Sequence, residues 1–333
     1  MTDRIARPLA SGLAPHRREL LSAGLGLAAA SILRPARAAA GTVRVGYQKY
    51  GALVLLKVRG TLEQALQPLG TTVAWSEFPS GPPLMEALNA GAVDFGTAGE
   101  APPIFAQAAS PELRYVGTEP PAPRGEAILV PKDSPVRSVA DLRGRTLALN
   151  KGSNVHFLVV RALERAGLPY DAVKLAFLAP ADANAAFVRG SVDAWAIWDP
   201  YLAAAERATG ARVLADGQGI APNREFYLSR RAFTEANPAI VSAILAAISD
   251  IDAWAEGHAD TVATELAPAI GVPAPVLRIA LERQSYGAAP LDAAAIADQQ
   301  RVADAFHDLG LLPKPIRVAD AVWTQPERRA ETR

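Results

Sequence analysis

Cysteine is missing from all 333 residues, and the chain has no net formal charge. Without cysteine it can hold no disulfide framework, thiolate metal site, thiol nucleophile or lipid-modified N-terminal cysteine. Aromatic residues make up only 6% of the sequence, whereas 50% of it is hydrophobic, which is typical of a globular protein with a large core. The length corresponds to about two domains.

The sequence also lacks the motifs of common catalytic and metal centres. Its four histidines have no metal-ligand spacing, and no G-x-S-x-G elbow, Walker loop or G-x-G-x-x-G loop occurs after residue 40. No run of lysine and arginine follows residue 40 either, so a nucleic-acid partner is not expected. We therefore expect a binding protein rather than an enzyme, with no catalytic residues, no metal and no cofactor.

The net charge of zero is the average of two unlike segments. Residues 1–40 contain six arginines and two acidic residues, a charge of +4, which leaves about −4 on the rest of the chain. Arg17-Arg18 precedes a short apolar run that ends near Leu33, and small residues follow up to Ala40. This order predicts a signal peptide of the twin-arginine type. A retained amphipathic helix is the alternative, and after residue 40 we expect no segment that is long and apolar enough to cross a membrane.

From residue 42 onward, short β-type runs alternate with amphipathic helical runs. Residues 42–47 and 72–78 have the alternation of strands, and residues 52–69 have the period of a helix. Strands that alternate with helices indicate βαβ units and mostly parallel sheets. The sequence therefore predicts the α/β class.

Two segments about 99 residues apart repeat one pattern. Gly91-Ala92-Val93-Asp94 leads into a short apolar strand and then Gly99-Glu100-Ala101-Pro102, while Gly190-Ser191-Val192-Asp193 leads into another and then Trp198-Asp199-Pro200-Tyr201. The repeat predicts two similar lobes, and chance similarity of two short turns is the alternative. Two-lobed α/β proteins bind ligands where the lobes face each other, beyond the carboxyl ends of the strands.

The candidate ligand-binding residues lie in the turns that follow the predicted strands. Helix N-termini at residues 99–101 and 152–154 offer free backbone N–H groups, which suit a small anion. Trp198 is expected to offer an apolar wall for the non-anionic part of the ligand, with packing under the lobe interface as the alternative. Ser153 and Asn154 have helix capping as an alternative role, and Lys49 that of an exposed loop cation. The complete candidate set is Gln48, Lys49, Gly99, Glu100, Ala101, Gly152, Ser153, Asn154, His156, Trp198 and Asp199.

Taken in order, the turn motifs resemble those of the aliphatic sulfonate-binding proteins of ABC importers, over nearly the whole mature chain. The segments that carry the resemblance are VGYQK at 45–49, EFPSGP at 77–82, LNAGAVDFG at 88–96, GEAPP at 99–103, ILVPK at 128–132, LNKGSNVH at 149–156 and WDPY at 198–201. Each segment is short, and their joint order and spacing make the resemblance specific. Glu100 stands where relatives frequently have aspartate.

The resemblance implies a type II periplasmic binding protein, in which two lobes, each a mostly parallel sheet flanked by helices, close on a ligand. We expect a signal peptide at 1–40, lobe one at 41–130, lobe two at 131–225, and at 226–333 a return to lobe one with the C-terminal helices. The chain would be a soluble, monomeric periplasmic receptor without a lipid anchor. It would deliver a sulfonate, for sulfur metabolism, to an ABC permease in the inner membrane.

Several alternatives stay open at this point. The same receptor could carry taurine, nitrate or another small anion. An enzyme of thiamine-pyrimidine synthesis would use the same fold, and a sensory module would bind without transport.

Overall fold

The computed structural model describes residues 41–324, so the predicted signal peptide at 1–40 lies outside the described residues. Ten strands, numbered in chain order, are β1 (Gly41–Tyr47), β2 (Thr71–Glu77), β3 (Phe95–Gly99), β4 (Leu113–Thr118), β5 (Glu126–Val130), β6 (Thr146–Leu149), β7 (Lys174–Phe177), β8 (Ala194–Trp198), β9 (Arg212–Asp216) and β10 (Glu225–Arg230). The helices are α1 (Gly51–Arg59), α2 (Thr61–Leu66), α3 (Gly81–Asn89), α4 (Ala101–Ala109), α5 (Asn154–Arg165), α6 (Pro180–Val188), α7 (Tyr201–Thr209), α8 (Arg231–Ala236), α9 (Pro238–Glu256), α10 (Ala259–Ile270), α11 (Ala274–Leu281) and α12 (Ala293–Asp308).

The strands form two five-stranded sheets with the same arrangement. The order is β2-β1-β3-β10-β4 in the first sheet and β7-β6-β8-β5-β9 in the second. In each sheet four strands run in one direction, and the fifth, β10 or β5, is antiparallel to both of its neighbours. The predicted α/β class with two mostly parallel sheets is confirmed.

The chain passes from the first sheet to the second between β4 and β5, and it returns between β9 and β10. Residues 126–130, which we expected in lobe one, form β5 of the second sheet. The reason is strand pairing, because Glu126 lies opposite Trp198 of β8 while the other side of β5 pairs with β9. The first crossing therefore ends before Glu126.

The two crossing segments are bonded to each other through Asn223. Its backbone has a φ of 49°, in the left-handed region that asparagine tolerates better than most residues. The Asn223 side-chain Nδ2 donates to the carbonyl oxygen of Ala122 at 2.8 Å. A side chain on Gly125 would begin 3.1 Å from this Nδ2, so glycine allows the close approach. Asn223 thus ties the return crossing to the outward one.

The sequence repeat corresponds to the same turn in both halves of the chain. Asp94, before β3, accepts from the N–H of Arg44 at 3.1 Å, and Asp193, before β8, accepts from the N–H of Thr146 at 2.8 Å. Each carboxylate also pairs with an arginine side chain, Arg44 in the first half and Arg145 in the second. In both halves the aspartate therefore fixes the register between a strand and its parallel neighbour.

Two expectations about the helices are wrong. The helix expected over residues 52–69 is broken after α1, because Gly60 takes a left-handed φ of 66°. By length and composition, α9 is also apolar enough to cross a membrane, although we expected no such segment. Its apolar residues include Val241, Ile244 and Ile248, which are buried in a cluster shared with α1 and α2, so α9 has the packing of a core helix.

We predict that Asn223→Ala lowers the free energy of unfolding by about 3–4 kcal/mol. The change removes the side-chain hydrogen bonds to Ala122 and Asn154, which contribute about 1 kcal/mol each, and puts alanine into a left-handed conformation that costs about 1–2 kcal/mol. Asn223→Gly is the matched control, because it loses both bonds without the backbone strain. Urea unfolding should show the glycine variant about 1 kcal/mol less destabilised, and equal losses would contradict the backbone argument.

Candidate functional site

The ends of β3 and β6 bring the two halves of the chain into contact. A side chain on Gly99, the last residue of β3, would begin 3.0 Å from Cβ of Asn154, the first residue of α5. Gly99 also precedes α4, so the N-termini of α4 and α5 lie beside the same contact. The turns expected to face each other across a cleft are therefore neighbours, and this junction is the candidate site.

The Asn154 side chain is committed to two partners at this junction. Its Nδ2 donates to Glu126 Oε2 at 2.6 Å and to Asn223 Oδ1 at 2.9 Å. It therefore connects α5 with the start of β5 and with the return crossing. What Asn154 can offer a ligand is its backbone N–H, since the first-turn N–H groups of a helix have no intrahelical acceptor.

Two carboxyl groups are buried at the junction, Glu100 with 1% of its surface exposed and Glu126 with none. Burial raises the pKa of Glu100 to about 8, although the N–H of Arg224 donates to its Oε2 at 3.2 Å. Burial, together with the nearby charge of Glu100, also raises the pKa of Glu126 well above its ordinary value. Glu100 Oε1 has no hydrogen-bond partner among the described residues. A carboxyl that keeps its proton near neutral pH can donate a hydrogen bond to an anion.

The loop before α5 uses its own donors internally, which differs from the expectation for Gly152 and Ser153. The N–H of Gly152 donates to Nδ1 of His156 at 3.2 Å, and Oγ of Ser153 donates to the carbonyl oxygen of Asn150 at 2.7 Å. Neither group is free for a ligand in this arrangement. The remaining donors of this N-terminus are the N–H groups of Asn154 and Val155.

His156 is a neutral, structural histidine. Since its Nδ1 accepts from Gly152, the neutral ring carries its proton on Nε2 and donates to the Tyr170 hydroxyl at 2.7 Å. Burial, and secondarily the charge of Lys151, lowers the pKa of His156 to about 4. It therefore supplies no positive charge for an anion.

The two candidates after β1 differ in their surroundings. Gln48 is buried, and its Nε2 donates to the carbonyl oxygen of Thr97 on β3 at 3.1 Å. Lys49 is one-third exposed, and its Nζ lies 3.7 Å from Glu77 at the end of β2. Gln48 is thus fixed beside β3, whereas Lys49 belongs to a partly exposed ion pair.

The residues after β8 are held by α7 and by the segment after α11. Trp198 is 7% exposed and meets the ring of Tyr201 edge-on. Asp199 Oδ1 accepts from the N–H of Ala203 at 3.0 Å, and Oδ2 lies 3.5 Å from Nη1 of Arg283. Burial raises the pKa of Asp199 to about 6, with Arg283 opposing the shift.

The sequence interpretation missed Glu126, Asn223 and Arg283. A lone glutamate at the start of an otherwise apolar strand was a usable signal for Glu126, because an acid there is buried with the strand. Asn223 and Arg283 carried no local signal. Within residues 41–324 no group of three or more acidic, histidine or cysteine side chains could hold a metal ion.

Comparison with known proteins gives consistent matches. The model of the family described as NMT1/THI5 like matches residues 78–260. An aliphatic sulfonates-binding protein of Escherichia coli (strain K12) is 44% identical over 283 residues, 84% of this chain and 88% of that protein.

Two solved structures are similar over most of the chain. The periplasmic aliphatic sulphonate binding protein of Escherichia coli is 42% identical with a TM-score of 0.79, covering 86% of this chain and 92% of its own. The alkanesulfonate-binding protein of Xanthomonas axonopodis pv. citri, bound to MOPS, is 43% identical with a TM-score of 0.81, covering 85% and 98%.

We predict that Glu100 makes the folded state less stable as the pH rises. The unfolded carboxyl loses its proton near pH 4.5 and the folded one near pH 8, so between these values the folded state binds more protons. The stability from this group is complete below pH 4.5 and is lost as the pH rises through 8, by at most about 1.4 kcal/mol per pH unit.

Urea unfolding at several pH values between 5 and 8 tests this. Glu100→Gln should reduce the slope of the unfolding free energy against pH. Glu235→Gln, a change at an exposed glutamate of α8, is the control that should keep the parent slope. If Glu100→Gln kept the slope of the parent chain, the pH dependence of stability would not come from Glu100.

Proposed function

The chain belongs to the NMT1/THI5-like family and, within it, to the aliphatic sulfonate-binding proteins, and from this membership we propose that it captures aliphatic sulfonates for an ABC permease. It is a substrate-binding protein and not an enzyme, since its relatives above 40% identity are binding proteins. The enzyme alternative of thiamine-pyrimidine synthesis finds no support in these relatives.

The observation that carries the ligand assignment is the contact between Gly99 and Asn154. It brings the N-termini of α4, with nine residues, and α5, with twelve, to one place between the sheets. The first turn of α5 offers the N–H groups of Asn154 and Val155, whereas that of α4 offers only the N–H of Ala101, because Pro102 and Pro103 have none. The positive ends of the two helix dipoles also favour a negatively charged group. In our proposal the sulfonate lies beside this contact and accepts from the N–H groups of Ala101, Asn154 and Val155.

The proton on Glu100 reconciles an acidic junction with an anionic ligand. A charged carboxylate there would repel a sulfonate, whereas a protonated one can donate to it from Oε1, which has no partner among the described residues. Gln48, buried beside β3, would contribute its side-chain amide. Lys49, paired with Glu77, would contribute only long-range charge.

We propose that the two sheets belong to lobes that close on the ligand, with the crossings at residues 119–125 and 217–224 as the hinge. In the present arrangement Arg283, after α11, donates to Glu206 of α7 at 2.7 Å and faces Asp199. This ion pair joins the C-terminal helices to the second half. Hinge closure is a known means by which a binding protein signals occupancy to its partner.

The cellular setting follows from the leader and from the relatives. The twin-arginine segment at 1–40 supports export, and the Escherichia coli structure is of a periplasmic protein. We propose a monomeric periplasmic receptor without a lipid anchor, which agrees with the lack of cysteine. Its membrane partner would be the permease of an ABC importer.

We predict that alkanesulfonates raise the melting temperature and that carboxylates of equal chain length do so much less. A ligand at 100 times its Kd stabilises the native state by about 2.7 kcal/mol. Butanesulfonate and pentanoate form the matched pair in a thermal-shift panel, with taurine and nitrate alongside. Equal shifts from the pair, or none from sulfonates, would contradict the sulfonate assignment, and a larger shift from taurine or nitrate would change the cargo.

We also predict that Gly99→Ala weakens butanesulfonate binding about tenfold. The new methyl group would begin 3.0 Å from Asn154 Cβ, and overpacking of this kind costs about 1–3 kcal/mol. Gly257→Ala is the matched control, because nothing lies within 4 Å of a side chain there. In calorimetry the control should bind butanesulfonate with the affinity of the parent chain. If Gly99→Ala also bound with that affinity, the contact between Gly99 and Asn154 would not be part of the site.

A further inference from the structure

A groove of about 330 Å³ opens beside the junction, between α3 and α4 of the first half and the loop before α5. We call it the α3–α4 groove. Pro102, in the first turn of α4, and Gly152, just before α5, both line it. Since these residues flank the two helix N-termini proposed to hold the sulfonate, the groove lies next to that site. Its volume is within the range of about 300–1,000 Å³ that small-molecule sites occupy.

The walls of the α3–α4 groove are mainly apolar. Its apolar lining includes Met85 of α3, Phe105, Ala106 and Ala109 of α4, and Leu311 after α12. Such a surface favours an alkyl chain, because each methylene removed from water gains free energy.

Most polar groups at the groove already have partners. Both ring nitrogens of His156 are bonded, to Gly152 and Tyr170. Asn89 donates from Nδ2 to the carbonyl oxygen of Ala106 at 3.1 Å, while its Oδ1 has no partner among the described residues. Glu86 and Lys151 are exposed, which places charges of both signs where the groove meets solvent.

We propose that the α3–α4 groove binds the aliphatic tail of the sulfonate, an inference that rests on the proposed function. The head group stays at the helix N-termini, and the tail runs along α4 toward Ala109. Trp198, which we expected to form the apolar wall, is almost fully buried and packs on Tyr201. Residues from both halves of the chain line the groove. A longer tail therefore contacts more surface on both halves.

The test is a series of linear alkanesulfonates from methane- to octanesulfonate, titrated by calorimetry into the full chain. Each methylene that enters the groove should tighten binding by about fourfold until the groove is full. Ala109→Trp places a large ring at the exposed end of the groove. It should leave methanesulfonate affinity unchanged and weaken octanesulfonate at least tenfold.

The matched control is Ala253→Trp, the same change at an exposed position of α9, a helix that does not line the groove. It should keep the whole chain-length series of the parent. Parent affinity for octanesulfonate in Ala109→Trp, or an equal loss for both ligands, would overturn the tail assignment. If the parent bound all sulfonates equally, only this inference would fail, whereas no binding of any sulfonate would remove the proposed function as well.

Discussion

The cost of burying carboxyl groups constrains the junction between the two sheets. Glu100 and Glu126 are almost completely out of solvent, and a charge on either would have to be offset by donors that the junction supplies only in part. The N–H of Arg224 serves Glu100, and the amide of Asn154 serves Glu126. Burial outweighs these donors, so both pKa values rise. The proton that remains makes Glu100 a donor, and an acidic, nearly dry junction thereby becomes compatible with an anion.

The same donors also connect the junction to the crossings. Asn154 bonds Glu126 and Asn223, and Asn223 bonds Ala122, so one hydrogen-bonded chain runs from the start of α5 through both crossing segments. A ligand that shifts α5 would therefore also displace the crossing segments through these hydrogen bonds. Arg283 joins the C-terminal segment to α7, and Phe306 of α12 packs against Phe105 of α4 and Phe157 of α5. The halves are thus joined by polar contacts at the crossings and at α7, and by aromatic packing beside α4 and α5.

The class of the fold could be predicted because it depends on local patterns. Gly91 and Gly190 both take left-handed φ values, and the aspartates that follow bond the neighbouring strand in the same way, so a short repeat was enough to indicate two similar halves. For the site, only its location at the turns after the strands could be predicted, and not the contacts of the individual residues. That Asn154 bonds Glu126 and Asn223, that Trp198 is covered, and that Glu126 lies opposite Trp198 all depend on packing between distant segments, which periodicity does not encode.

In the proposed site, the directions of the donors would favour a sulfonate over a carboxylate with the same tail. A sulfonate has three oxygens around one sulfur, and the proposed donors come from three directions, the N-terminus of α4, the N-terminus of α5 and the side chain of Glu100. The two oxygens of a carboxylate lie in one plane, so although they can accept several hydrogen bonds, a donor outside that plane would be poorly aligned. A sulfonate also stays ionised at any ordinary pH, so it would not take the proton from Glu100. Discrimination would then come from the directions of the donors and the location of one proton, with no need for a strongly basic pocket.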